Sequence, residues 1–126
     1  MKDSVIAFAL LVVAIIHLIP LSGVLGEARL FSLYGLHFSD NNELILMQHR
    51  AVLFGLLGSY MLFAIVVVSQ RIYALISGLV SVISFLLIAF IVGDYKYSLL
   101  RVMWVDGVAL SLLLLALTLT RFESHP

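Results

Sequence analysis

Cysteine is absent from this 126-residue chain and charge is scarce: Asp, Glu, Lys and Arg make up 11% of it, seven basic residues against seven acidic. The first absence excludes disulfide scaffolding, thiolate zinc sites, cysteine-ligated iron–sulfur clusters and thiol nucleophiles together. The second leaves no basic stripe to neutralise phosphates and no acidic tail, which argues against nucleic acid as a partner. What fills the chain instead is apolar, with 63% hydrophobic residues and a mean hydropathy of +1.21. A soluble domain of this length has too much surface for its volume to hide that much apolar side chain. The composition is that of an integral membrane protein whose first partner is the lipid bilayer.

Four apolar stretches, Val5–Leu21, Leu44–Val68, Ile72–Val92 and Val102–Thr120, each approach the roughly 20 residues a helix needs to cross about 30 Å of hydrocarbon. Short links, Ser69-Gln70-Arg71 and Gly93-Asp94-Tyr95-Lys96-Tyr97-Ser98, make neighbouring helices antiparallel. The expected fold is therefore all-α: one four-helix antiparallel transmembrane bundle over residues 1–126. An even number of crossings puts both termini on one face, the terminal side, and the long connection Ser22–Glu43 on the other, the loop side. Within that connection Leu30, Phe31, Leu33 and Tyr34 share a helical face with Glu27 and Arg29 off it, which predicts a short interfacial helix ended by Gly35. Asp40-Asn41-Asn42-Glu43 has the spacing of a capping box, so the second crossing helix is expected to begin at Asn41.

Lys2 ahead of an apolar run, with Val24-Leu25-Gly26 after it, has the outline of a cleaved signal peptide. Asp3 offsets the positive n-region, and His17 and Pro20 interrupt the apolar core, so the segment is read as a retained anchor. Lys2, Arg71 and Arg121 flank the terminal side, against Arg29 and Lys96 on the loop side. With Arg50 and Arg101 set aside as site residues, that balance places both termini in the cytoplasm and the long loop outside.

Polar groups inside the apolar stretches carry the chemical information, because an ionisable side chain in hydrocarbon costs several kcal/mol unless it is paired or wet. His17, Gln48, His49, Arg50, Asp94, Arg101, Trp104 and Asp106 all fall toward the loop side. At 1.5 Å per residue, His17, His49, Arg50 and Asp106 lie roughly 7–10 Å inside that boundary. The terminal-side half offers only hydroxyls and glycines in the same survey. Gln48, His49 and Arg50 are consecutive and sweep about 200° of a helix, so they do not all face one pocket. Arg50 is the best candidate to face inward, and Asp106, at matching depth, is its expected ion-pair partner. Arg101 lies about 140° from Asp106 around its helix and is expected to reach Asp94 or a lipid phosphate instead. The candidate ligand-binding set is His17, His49, Arg50, Trp104 and Asp106, with Gln48, Asp94 and Arg101 secondary.

Two imidazoles at similar depth on adjacent helices are the minimum for axial haem ligation. Without a third ligand or a Glu-x-x-His motif, His17 and His49 make no metal site by spacing, and hydrogen-bonded packing is the simpler role. Trp104, Tyr95 and Tyr97 sit where an interfacial aromatic belt is expected, while His37 and His125 lie outside the spans. Ser77, Gly78, Ser81 and Ser84, and Gly55 with Ser59, form small-residue faces suited to close helix contact. Gly55 and Gly58 are three apart, not the four of the glycine dimer motif.

Ile16-His17-Leu18-Ile19-Pro20-Leu21-Ser22-Gly23, the loop ending Leu33-Tyr34-Gly35, Met47-Gln48-His49-Arg50-Ala51-Val52-Leu53-Phe54-Gly55 and Arg101-Val102-Met103-Trp104-Val105-Asp106 together resemble the small bacterial four-helix membrane proteins of the DoxX-like superfamily, in its uncharacterised branch. The resemblance covers nearly the whole chain through short motifs. It implies a compact bundle in the bacterial cytoplasmic membrane, and the superfamily's best-known members are associated with quinone-linked oxidation of reduced sulfur compounds. Sequences of this look are sometimes named phosphopantetheine adenylyltransferase. That enzyme is a soluble nucleotide-binding α/β protein with a His-x-Gly-His motif, and this sequence has neither that motif nor a Gly-rich phosphate loop after a strand.

Two functions follow from the residues. One is a bundle that binds a small molecule, lipid or quinone at a polar site near the outer boundary, linked to membrane redox chemistry. The other is a non-enzymatic accessory or scaffold subunit that meets a membrane-protein partner or a second copy through its small-residue seams. A transporter needs polar groups across the full depth, which the terminal-side half does not supply. No nucleophile, base and orienting group can be assigned together, so the sequence identifies no reaction.

Overall fold

The computed structural model describes residues 1–123; His125 lies outside the described residues. Helix α1 (Lys2–Leu18) continues as a 3-10 segment, Ile19–Leu25, and is followed by α2 (Glu27–Tyr34), α3 (Asn41–Val66), a 3-10 turn at Val68–Gln70, α4 (Arg71–Val92) and α5 (Tyr97–Glu123). Four stretches are long and apolar enough to cross a membrane: Lys2–Leu25, Asn41–Val66, Val68–Val92 and Tyr97–Arg121. The protein is an all-α four-helix bundle with the make-up of a multi-pass membrane protein, and α2 is the short helix of the first loop.

Helix α1 packs against α3 and α5, and α4 packs against the same two, so α1 and α4 stand diagonally across the bundle. The closed core lies between them, where Ile6, Leu10 and Val13 meet Met61, Leu75, Val82 and Leu113. Lipid tails are as apolar as these side chains, so close van der Waals packing, and not removal from water, holds the helices together. Small residues permit the approach. A Cβ at Gly58 would stand 2.8 Å from Leu18 Cγ and 3.0 Å from the Ala14 carbonyl oxygen, and one at Gly55 would stand 2.7 Å from Leu21. Gly58 thus serves the α1–α3 seam, and Gly55 the contact of α3 with the 3-10 segment, both inside one chain. Gly78 does the same for α4 against Met61 and Leu113.

The helix ends follow local chemistry, with differences from the sequence expectation. Asp40 caps α3, its carboxylate accepting the Asn42 backbone N–H at 2.9 Å. The reciprocal bond from Glu43 that would complete a capping box is not formed. Gly35 ends α2 in the left-handed region, φ 69, as a glycine C-cap does. Helix α3 stops at Val66, two residues before the end of its apolar run, because Val67 is extended. Helix α5 begins at Tyr97, five residues before the predicted start, because Gly93 and Asp94, both at positive φ, complete the turn early. On α2, Leu30 and Tyr34 are buried, whereas Phe31 leaves the expected face and stacks on His37 with ring centroids 4.3 Å apart.

The terminal side corrects a further expectation. Arg71 is not a free flanking cation: it is 6% exposed and ion-paired with Asp3. Its Nε donates to the Ala64 carbonyl at 3.3 Å and its Nη2 to the Ile65 carbonyl at 2.8 Å. These carbonyls belong to the last turn of α3, where no intrahelical donor remains. Tyr60 adds a hydroxyl bond to Gln70 Oε1 at 2.8 Å. This end therefore holds more than hydroxyls and glycines; it is a polar lock joining α1, α3 and α4.

Candidate functional site

At the loop side the four long helices do not close on one another. Pro20 supplies no N–H to continue the α-helical ladder, and the chain leaves α1 as a 3-10 segment. Gly23 admits Leu30 of α2 at that point, with 2.7 Å from a built Cβ to Leu30 Cδ2. Helix α2 is fastened across the top: Arg29 Nε donates to Ser22 Oγ at 2.9 Å, the Phe38 N–H donates to Glu27 Oε1 at 3.2 Å, and Arg101 Nη2 donates to the Ser32 carbonyl at 3.4 Å. Gln48 Nε2 donates to the Val24 carbonyl at 3.1 Å and ties α3 to the 3-10 segment.

Under this roof is a cavity of about 250 Å³. Its walls are mostly apolar, with Ile16, Pro20, Leu33, Val102 and Val105 among them, and its polar groups are His17, Tyr34, Arg50, Arg101 and Asp106. A largely apolar enclosure with a few convergent polar groups is the usual form of a small-molecule site, although this one is smaller than the roughly 300–1,000 Å³ of typical ligand pockets.

His17 is 2% exposed. Its Nδ1 lies 2.9 Å from the Val13 carbonyl, which can only accept, so Nδ1 carries the proton of the neutral ring. Nε2 then accepts from the Ser81 hydroxyl at 3.2 Å, a bond that crosses the bundle diagonal from α1 to α4. The Phe54 ring packs on the imidazole with centroids 5.5 Å apart.

Arg50 is held by π faces. Its guanidinium carbon lies 4.5 Å from the Phe54 centroid, 5.4 Å from Tyr34 and 5.8 Å from Phe85, all within cation–π range. The expected ion pair with Asp106 is not formed within 4 Å, although both groups line the cavity. Rings from three helices surround the guanidinium where a carboxylate was expected. Arg101 likewise does not reach Asp94; it turns to the last turn of α2, where an unsatisfied carbonyl is available, and faces the cavity.

Of the sequence candidates, the structure thus brings His17, Arg50, Asp106 and the secondary Arg101 to one cavity. His49 points outward and is exposed, Trp104 is 73% exposed on the outer face, and Asp94 sits at φ 56 in the α4–α5 link. Gln48 is a strut. His17 and His49 do not converge, and among the described residues no three His, Asp or Glu side chains gather at a metal-sized site. Sequence reasoning missed Tyr34, Phe54 and Phe85 as the cradle of Arg50. The signal was available for Phe54, four residues after Arg50 on the same helix; Tyr34 and Phe85 come from other helices. Comparison with known proteins adds no assignment: no family model, curated protein or solved structure matches the chain.

Proposed function

We propose that this membrane bundle binds a small molecule in the loop-side cavity through Arg50 and Arg101, with Asp106, His17 and Tyr34 as the other polar contacts. The observation that carries the proposal is the absence of an ion pair at Arg50. A guanidinium held on aromatic faces at the wall of a largely apolar cavity, with the neighbouring Asp106 carboxylate outside salt-bridge contact, is arranged to meet an acceptor group on a ligand. A quinone carbonyl or an anionic head satisfies that requirement, and the DoxX-like resemblance of the motifs around His17, Arg50 and Asp106 favours a link to membrane redox chemistry in the bacterial cytoplasmic membrane. Lys2 and Arg121 at the terminal side support cytoplasmic termini, which would place the cavity on the outer side.

The scaffold reading, in which the cluster only locks helices together, predicts a direct Arg50–Asp106 pair as the lock. Bonds that cross the bundle among the described residues include His17 to Ser81 and Arg71 to Asp3. The test is native mass spectrometry of the protein released from mild detergent. The expected result is an added mass that Arg50→Gln abolishes while the folded yield is unchanged. A bare mass for the parent protein, or an adduct indifferent to Arg50, would overturn the proposal in favour of an accessory subunit.

A further inference from the structure

Arg50 and Phe54 wall more than the cavity. On their other side a groove of about 280 Å³ opens between α3 and α4, lined also by Leu53, Leu57, Ser81 and Phe85. A second depression, of about 390 Å³, shares Leu53 and Leu57 with it and ends at Tyr60. From Arg50 to Tyr60 the combined groove runs about 15 Å along α3, half the thickness of the hydrocarbon layer. Its upper part follows the α3–α4 seam, the most sparsely packed of the four sides of the bundle, and its lower part lies on the face of α3 itself, against Leu56 and Tyr60. Between groove and cavity stand the Arg50 guanidinium, the Phe54 ring and the His17–Ser81 hydrogen bond.

The two spaces differ in chemistry in a way that suits one molecule. The cavity, at about 250 Å³, holds a head group and no long chain. It presents two guanidiniums and one carboxylate, so cationic groups outnumber anionic ones. The groove is nearly all apolar below Ser81 and Ser84, lined there by leucines and the Tyr60 ring. Resting on the reading of the cavity given above, we infer that the occupant is a single-chain membrane amphiphile with a small anionic head, of which a long-chain fatty acid is the simplest. It enters sideways from the bilayer between α3 and α4. Its carboxylate pairs with Arg50, whose planar fork matches a carboxylate, and its tail lies along Leu53 and Leu57 to Tyr60. The Phe85 and Phe54 rings keep the guanidinium at the point where head and tail spaces meet.

The experiment uses the full chain in phosphatidylcholine nanodiscs with palmitate bearing a diazirine near its chain end, and maps the photolabel by peptide mass spectrometry. The inference expects labelling concentrated at Leu56–Tyr60, suppressed by excess palmitate but not by hexadecanol or acetate. Arg50→Gln lowers it about tenfold or more, as loss of a charge-assisted bond implies. Leu53→Trp, at a half-exposed site in the groove and outside the cavity, lowers it without removing the charge. Labelling spread over the lipid-facing surface, including the Trp104 face, or equal suppression by hexadecanol, overturns the inference. If the protein then still retains an Arg50-dependent adduct, the small-molecule site stands with a different occupant; if it retains none, both readings fall.

Discussion

At the terminal side of the bundle the Arg71 guanidinium is enclosed and engaged by its own chain, with Asp3 on one side and the final carbonyls of α3 on the other. At the loop side Arg50 and Arg101 stand on the wall of a cavity, the first against aromatic rings and the second on a single long bond to the Ser32 carbonyl. The same residue type is used in two ways. Where an arginine satisfies orphan carbonyls and a carboxylate, its charge belongs to the fold. Where it rests on π faces with a carboxylate nearby but not in contact, much of its hydrogen-bonding capacity remains for something else. Their positions differ too: Arg71 is the first residue of α4, whereas Arg50 stands more than two turns into α3.

The comparison breaks first under truncation of apolar side chains on a single helix. Leu113 on α5 is fully buried in the closed core, and Leu113→Ala is expected to cost about 2–5 kcal/mol as lost contacts and a new cavity. Val102, three turns away on the same helix, already faces open space, and Val102→Ala should cost under about 1 kcal/mol. Thermal unfolding of both variants in detergent measures the difference. Equal losses would mean that the loop-side cavity is packed as tightly as the core.

Arg71→Met comes next, with an expected loss of about 1–3 kcal/mol, because the Ala64 and Ile65 carbonyls lose their donors. Asp3→Asn should cost no more than about 1 kcal/mol, since the Asp3 side chain is largely exposed and such pairs are screened. The asymmetry is the diagnostic: if Asp3→Asn cost as much as Arg71→Met, the ion pair and not the carbonyl caps would be what closes this end. Ser81→Ala sharpens the loop side in the same way. It leaves His17 Nε2 buried without its donor and should cost about 1–3 kcal/mol, whereas Ser84→Ala, exposed and bonded only to a helix carbonyl, should be nearly silent.

How much of this was legible in the sequence depends on whether a feature is local. Four helices long and apolar enough to cross, the short helix of the first loop, its Gly35 stop and the Asp40 cap all follow from period, length and turn chemistry within a few residues, and all appear in the structure. Depth along the chain also brought His17, Arg50 and Asp106 to one level, and the cavity holds them together. Azimuth was harder. Within Gln48-His49-Arg50 the 100° step required at least one residue to turn away, but only tertiary contacts decide that Arg50 faces inward and His49 out. Partner choice was not legible at all. Tyr34 and Phe85 reach Arg50 from helices distant in sequence, and Asp3 meets Arg71 across 68 residues. The pairing at the terminal side was within reach of the rule applied to the loop side, that ionisable residues at one depth on neighbouring helices seek each other. Asp3 and Arg71 were instead read as flanks of a leader and of a turn.

The smallest expected effect is also the one that most directly separates a lock from a binding site. Arg50→Gln and Asp106→Asn are compared singly and together by thermal unfolding of the ligand-free protein. If the two groups formed a buried ion pair, each single change would strand a charge, and the double change would recover much of the loss. In this structure they share a cavity without contact within 4 Å, and Arg50 has three rings for company, so the coupling should fall well below the roughly 3–5 kcal/mol of a broken buried pair. Asp106→Asn should then leave the fold intact while raising the positive excess in the cavity, and retention of an anionic amphiphile should rise with it. A coupling of several kcal/mol would transfer Arg50 to the class of Arg71, a charge that belongs to the fold, and would leave the loop-side cavity without its principal recognition group.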